Sequence, residues 1–243
     1  MSASGYRIRR GRRRCRRAAW LAVAVSAASC GAVHADEFDL SLGAASSTVL
    51  RGIALGDLTA RSTASYSHAA GWLAGLSVAA LQSRLRHDKW DAQLSPRLGY
   101  TRVLDADWAW QSSYAHHGYP GSERLKRYAH HELATTLAYR DLLYLSLTGL
   151  RNVRDAFGEP RTSVAYEIVA SHPVGAGLVA TAGIGYRNTL GASYDHAHGH
   201  GGLNVRWASA QADLLYVWTD DAAKRRFGAA AANRWVGSLT WRF

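Results

Sequence analysis

Beyond residue 35 the sequence contains no cysteine; the only two, Cys15 and Cys30, lie in the leading stretch. The rest of the chain therefore has no disulfide, no thiolate metal ligand and no thiol nucleophile. Proline is scarce too, at four residues in 243. No segment after the leading stretch approaches ~18 consecutive apolar residues, which excludes a transmembrane helix there. Acidic residues are missing from the first 35 positions, which hold eight arginines. That local absence shapes the charge of the whole. The full chain carries 29 basic and 18 acidic groups, or +11; without those eight arginines 21 face 18, or +3. A balance that small removes the main support for nucleic-acid binding, and no nucleic-acid partner is expected.

What the first 35 residues do contain is ordered. Eight arginines precede an apolar run from Ala18 to Val33, and Val33-His34-Ala35 places small residues where a signal peptidase reads. This is the layout of a cleaved secretory signal, so 1–35 is read as signal peptide and 36–243 as one domain. The run is shorter than the ~20 residues of a spanning anchor and carries Ser26, Ser29 and Cys30. Cleavage before Cys30, as in a lipoprotein, is the minor alternative.

The remaining 208 residues hold eight of the nine Trp and eleven of the twelve Tyr. Twelve runs alternate with period two, over 37–47, 58–68, 72–82, 91–104, 107–117, 128–139, 142–151, 162–171, 177–188, 200–208, 211–219 and 234–243. The gaps between them alternate as well. The first connection, 48–57, is long and the next is tight, and this order continues to the two-residue turn Arg140-Asp141 and beyond. Antiparallel strands in such an order place every long loop at one end, as transmembrane barrels do. The expected fold is all-β: an up-and-down transmembrane antiparallel β-barrel of about 12 strands, located in the cell outer membrane.

The two faces of each run differ. Thr59, Arg61, Thr63, Ser65 and Ser67 oppose Leu58, Ala60, Ala64 and Tyr66. Asp91, Gln93, Ser95, Arg97 and Thr101 oppose Trp90, Ala92, Leu94, Leu98 and Tyr100. A soluble sandwich buries the apolar face and a membrane barrel exposes it, and parity alone does not separate them. The signal, the one-sided loop lengths and aromatics near strand ends (Trp72, Trp90, Tyr100, Trp207, Trp218, Trp235 and Trp241) favour the barrel. The final stretch, WVGSLTWRF, sets Trp235, Gly237, Leu239, Trp241 and Phe243 on one parity, so a last strand is expected to close against the first. Trp241 and Phe243 resemble the terminal signal of bacterial outer-membrane proteins, which implies the barrel-assembly machinery as a partner.

One stretch is more specific. SSTVLRGIALGDLTARSTASYSHAAGWLAGLSV resembles the TorF-like porins of proteobacterial outer membranes, through Ser47, Arg51, Gly52, Gly56-Asp57, Tyr66, His68, Gly71, Gly75 and Ser77. Ala54 stands where that family commonly has Ser, and its proline before the second strand is missing. The match covers about thirty residues. The resemblance implies a porin barrel, without cofactor, whose solute is undefined.

Charged residues on the polar parity are the candidates for lining a pore: Arg61, Asp91, Arg97, His130, Glu132, Glu167, Arg187, Arg206, Asp213, Arg234 and Arg242. Arginines outnumber carboxylates here, which favours anions among small polar solutes. The competing reading is a closed network of paired charges filling a narrow barrel. His196, His198 and His200, beside Asp195, alternate in YDHAHGH and offer imidazoles to Zn, Cu or Ni, or else form a polar loop without metal. The pairs His116-His117 and His130-His131 point to opposite faces and are weaker metal candidates. A lipid hydrolase would need a base within reach of a nucleophile; Ser67 and His68 alternate faces, and His130 with Glu132 shows no partner serine. No Gly-x-Ser-x-Gly or His-Glu-x-x-His appears, and no enzyme is expected. The basic loops ERLKR and DDAAKRR are candidate contacts for lipopolysaccharide or a partner, which would make the barrel structural or adhesive.

Overall fold

The computed structural model describes residues 36–83, 89–153, 161–175, 177–191 and 195–243. The expected signal peptide, 1–35, lies outside the described residues. The elements run β1 Glu37–Ala45, β2 Thr48–Leu50, β3 Ile53–Gly56, β4 Thr59–Ser67, β5 Trp72–Gln82, β6 Trp90–Val103, β7 Trp108–His117, β8 His130–Tyr139, β9 Leu143–Asn152, β10 Thr162–Gly175, β11 Leu178–Thr189, β12 His196–Trp207, β13 Ala210–Thr219, α1 Asp221–Phe227 and β14 Arg234–Arg242.

Twelve of these strands form one closed antiparallel barrel, each paired with its neighbours in chain order. Closure comes from β1, which pairs with β4 on one edge and β14 on the other, with Leu42 opposite Trp241 and Ser41 opposite Arg242. The Phe243 amide extends that ladder by donating to the Leu40 carbonyl at 2.9 Å. Every wall strand therefore has two partners, the arrangement a bilayer demands because lipid offers no hydrogen bonds. Each of the twelve expected runs is a wall strand. The largest differences are in β12, which begins at His196 rather than 200, and β10, which runs to Gly175 rather than 171.

Connections alternate as the sequence indicated. Tight turns follow β4, β6, β8, β10 and β12, and the longer connections gather at the opposite end. Arg140 and Asp141, with φ of 48° and 58°, form the central pair of the β8–β9 turn. Positive φ at both positions gives the twist that joins antiparallel strands tightly.

Burial decides which parity faces out. Phe38, Trp72, Leu98, Leu133, Ile184 and Trp235 are exposed. Gln93, Gln111, Thr136, Thr148, Asn204 and Thr240 are buried. Apolar side chains face out and polar ones in, the reverse of a soluble sandwich. Aromatics collect near both ends of the strands. At the short-turn end Trp72 meets Tyr100 edge-on at 5.1 Å, and Trp108 meets Tyr139 at 4.9 Å; at the other, Tyr216 meets Trp235 at 5.2 Å.

The first long connection departs from expectation. Residues 48–57 were read as a loop joining two wall strands, but they hold the two-stranded hairpin β2–β3, separate from the wall. Val49, Ile53, Ala54 and Leu55 on it are all buried. Leu55 packs with Ala79, Leu81, Tyr119 and Leu125. Val49 and Ala54 pack with Val217 and Val236, and Ile53 with Ala223 and Ala231. The hairpin thus lies inside the barrel at its long-loop end, bridging β5 to β13 and β14 beneath α1. The reason is in the composition: Val49, Leu50, Ile53, Ala54 and Leu55 are apolar on both parities, so neither face of this ribbon belongs in water.

Candidate functional site

The inner hairpin organises the lumen. Its turn is Arg51-Gly52, with φ of 48° and 83°, the same double-positive geometry as Arg140-Asp141. Glycine is required at the second position, since a Cβ there would fall 2.2 Å from Thr219 Cγ2. The base is tied by Ser47 Oγ, which donates to the Gly56 carbonyl at 2.8 Å, and by Thr48 Oγ1 against Thr59 Oγ1 at 2.7 Å. At the tip, the buried Arg51 Nη2 meets Glu132 Oε2 at 3.0 Å across the lumen. The Arg51 carbonyl accepts from His196 Nε2 at 3.1 Å. One turn residue therefore bridges β8 and β12.

The residues of the family-like motif divide among three tasks. Ser47, Arg51 and Gly52 build the hairpin. Tyr66 ends β4, and His68 and Gly71 form the first tight turn, where the Gly71 amide donates to the His68 carbonyl at 2.9 Å and φ is +95°. Gly75 and Ser77 stand on the β5 wall, with Thr63 Oγ1 donating to Ser77 Oγ at 3.1 Å. Trp241 and Phe243 face outward at the short-turn end.

All eleven charged candidates fall on the inward parity, but they are not equivalent. Glu132 is held by Arg51, and Asp91 by Arg124 Nη2 at 2.6 Å. Asp213 accepts from Ser238 and Gln211, both at 2.8 Å. Glu167 stands 3.9 Å from His198 Nε2. Arg234 is turned to the carbonyls of Ala229, Ala230 and Ala232 at the long-loop end. Arg206 and Arg242 lie near the short-turn end. Arg97 Nη2 donates to Ser113 Oγ at 3.2 Å and Arg187 Nη2 to Ser163 Oγ at 3.0 Å. Among the described residues, Arg61, Arg97 and Arg187 have no carboxylate within ion-pair distance.

The histidines are arranged by strand pairing. His196, His198 and His200 share the inward face of β12 and are buried. Successive members are two residues, roughly 6.8 Å, apart along the strand, so they do not converge on one point. They lie against glycines: Gly185 pairs with His198 and Gly183 with His200. A Cβ at either would come within 2.4–2.7 Å of the imidazole. The His-His pairs, weaker metal candidates on parity, are brought together across strands, His116 opposite His131 and His117 opposite His130. Each doublet contributes one ring to each face. Inside, His117 stacks on His130 at 4.6 Å; outside, His116 approaches His131 at 4.6 Å and Tyr114 Oη meets His131 Nδ1 at 2.6 Å. Among the described residues, His117, His130 and Glu132 form the group whose ligand atoms all lie within 4.8 Å of one another. Sequence reasoning missed this group because it judged each doublet alone; the signal was two His-His doublets on consecutive strands.

The basic loops are partly spent on the barrel itself. Arg124 of ERLKR bonds Asp91 and the Leu55 carbonyl, the latter at 3.2 Å, and Lys126 pairs with Glu123. DDAAKRR forms most of α1, capped by Asp220 accepting from the Ala223 amide, with Lys224 Nζ 3.5 Å from Asp221.

Comparison with known proteins places this geometry in a class. No family model and no curated protein matches the sequence. Solved structures do. A KdgM porin superposes with TM-score 0.53 at 10% identity, covering 84% of this chain and 99% of that one. A NanC porin gives 0.53 at 12% identity, over 85% and 98%. A KdgM porin in complex with disordered oligogalacturonate gives 0.50 at 9% identity, over 85% and 98%. The chain has the twelve-stranded porin-type fold of an outer-membrane β-barrel. At these identities it is the fold that is shared.

Proposed function

We propose that the chain is an exported outer-membrane porin, of the kind the TorF-like motif resembles, passing small anionic or polar solutes by passive diffusion. The observation that carries this reading is the charge left over in the lumen. Arg61, Arg97 and Arg187 point inward without a carboxylate partner among the described residues, while Asp91 and Glu132 are already held by arginines. A low-dielectric wall focuses such uncompensated positive charge and raises the local concentration of anions. The oligogalacturonate of the KdgM complex is a polyanion of the sort this wall would suit. In this reading the inner hairpin narrows the passage, as an inward-folded loop does.

The test is conductance of the purified protein in a planar bilayer under a salt gradient. Discrete steps with anion-selective reversal are expected, and Arg97→Glu with Arg187→Glu should carry the reversal potential to the cation side. Steps whose selectivity ignores both substitutions would end the arginine argument. A second reading has its own support: Val49, Ile53, Ala54 and Leu55 are buried inside the barrel, and a barrel plugged by this hairpin would act through its loops, on lipopolysaccharide or a partner. A folded protein that never conducts would decide for it.

A further inference from the structure

We infer that His117, His130 and Glu132 form a binding site for a divalent transition-metal ion, in the inner wall beside the tip of the hairpin. It stands apart from the pore reading, since it requires only the closed barrel.

Strand geometry brings the three groups together. His117 on β7 pairs directly with His130 on β8, and Glu132 follows two residues later on the same inward face. His130 is 2% exposed and Glu132 7%. His130 Nδ1 lies 2.7 Å from the Tyr128 carbonyl, which can only accept, so Nδ1 carries the proton. In the neutral ring Nε2 is then a bare lone pair. That atom is buried, has no hydrogen-bond partner among the described residues, and faces the Glu132 carboxylate at 3.7 Å. A bare imidazole nitrogen and a carboxylate facing each other in a buried wall are two donors that one metal cation can bridge. His117 Nδ1 is held at 3.0 Å by Ser95 Oγ, which leaves Nε2 as its ligand nitrogen. A metal-binding histidine typically has its second nitrogen held by a carbonyl, hydroxyl or carboxylate, and both rings meet that description.

Two imidazoles and one carboxylate suit zinc and its first-row neighbours. Donors about 2.0–2.2 Å from a tetrahedral ion stand roughly 3.3–3.5 Å apart. The present separations, within 4.8 Å, thus close with small side-chain rotations. Arg51 is the competitor, because its Nη2 occupies Glu132 Oε2. Metal and guanidinium share one carboxylate, so loading the site weakens the anchor of the hairpin tip.

The mature protein isolated from outer membranes and stripped with a chelator would be titrated with zinc by calorimetry. One saturable equivalent is expected. His130→Ala and Glu132→Gln should each lower affinity at least tenfold, and Arg51→Gln should raise it by freeing the carboxylate. His198→Ala should leave it unchanged. Should His130→Ala fail to give a heat-modifiable barrel, cobalt loading of the unaltered protein provides the second readout, through visible bands of cobalt bound by imidazole and carboxylate. Absence of saturable zinc uptake would overturn the site and leave the gap to a proton shared between His130 and Glu132. Binding that survives His130→Ala but is lost in His198→Ala would overturn it in favour of the β12 histidines.

Discussion

Arg51 and Gly52 are the two residues on which the interior most depends. Glu132 is buried and its charge is met by Arg51 at 3.0 Å, so Arg51→Ala strands a carboxylate in the wall. Breaking one side of a buried pair costs about 3–5 kcal/mol, more than the pair itself contributes. Gly52→Ala acts through space, since its Cβ would sit 2.2 Å from Thr219 Cγ2 at a φ of +83°. A strained backbone position of this kind costs about 1–3 kcal/mol. Hydrogen exchange of amides 48–56 should speed up strongly in both variants, while the wall strands keep their protection. Equal loss of protection around the whole barrel would show that the hairpin and wall unfold together. The motif Arg-Gly was conspicuous in the sequence, but its partners Glu132, His196 and Thr219 are 81 or more residues away. Nothing local announces a contact of that separation.

At the scale of elements, the wall and the hairpin answer to different rules. A wall strand needs alternation, and alternation is visible one strand at a time: Arg97 and Leu98 could be assigned to opposite faces without knowing their neighbours. The β2–β3 ribbon lacks that signature because both of its faces are covered. Its apolar residues on both parities resembled an irregular loop, when they are what a buried ribbon requires. Replacing 48–56 with a short polar loop should raise single-channel conductance severalfold if the hairpin restricts the bore. A severalfold rise from a measurable starting value supports a constricted pore; current that appears only after deletion supports a plug. Unchanged conductance would remove the hairpin from the permeation path. The same element-scale logic explains the histidines. Doublets on β7 and β8 look self-cancelling when read singly, yet antiparallel pairing puts His117 on His130 inside and His116 by His131 outside.

For the whole molecule, closure is the decisive event. The apolar belt faces outward and every wall strand is paired on both edges, as a bilayer requires. The last ladder bond, from the Phe243 amide to the Leu40 carbonyl, joins the two ends of the described chain. Deleting Phe243 should slow assembly and lower the fraction of heat-modifiable folded barrel recovered from membranes, with little change in strand content of what does fold. Full recovery at the normal rate would mean that β14 registers on β1 without it.

The sequence by itself determined about twelve wall strands, the up-and-down order, the one-sided loops and the shared parity of the charges. Each is a local property, set by period-two patterning and turn chemistry within one hairpin. Tertiary structure alone decided that the apolar face looks outward, that residues 48–56 fold into the lumen, and which charges remain unpaired there. Those depend on which distant side chains meet once twelve strands close into a ring, and pairing across a barrel has no counterpart in the pattern of any one strand.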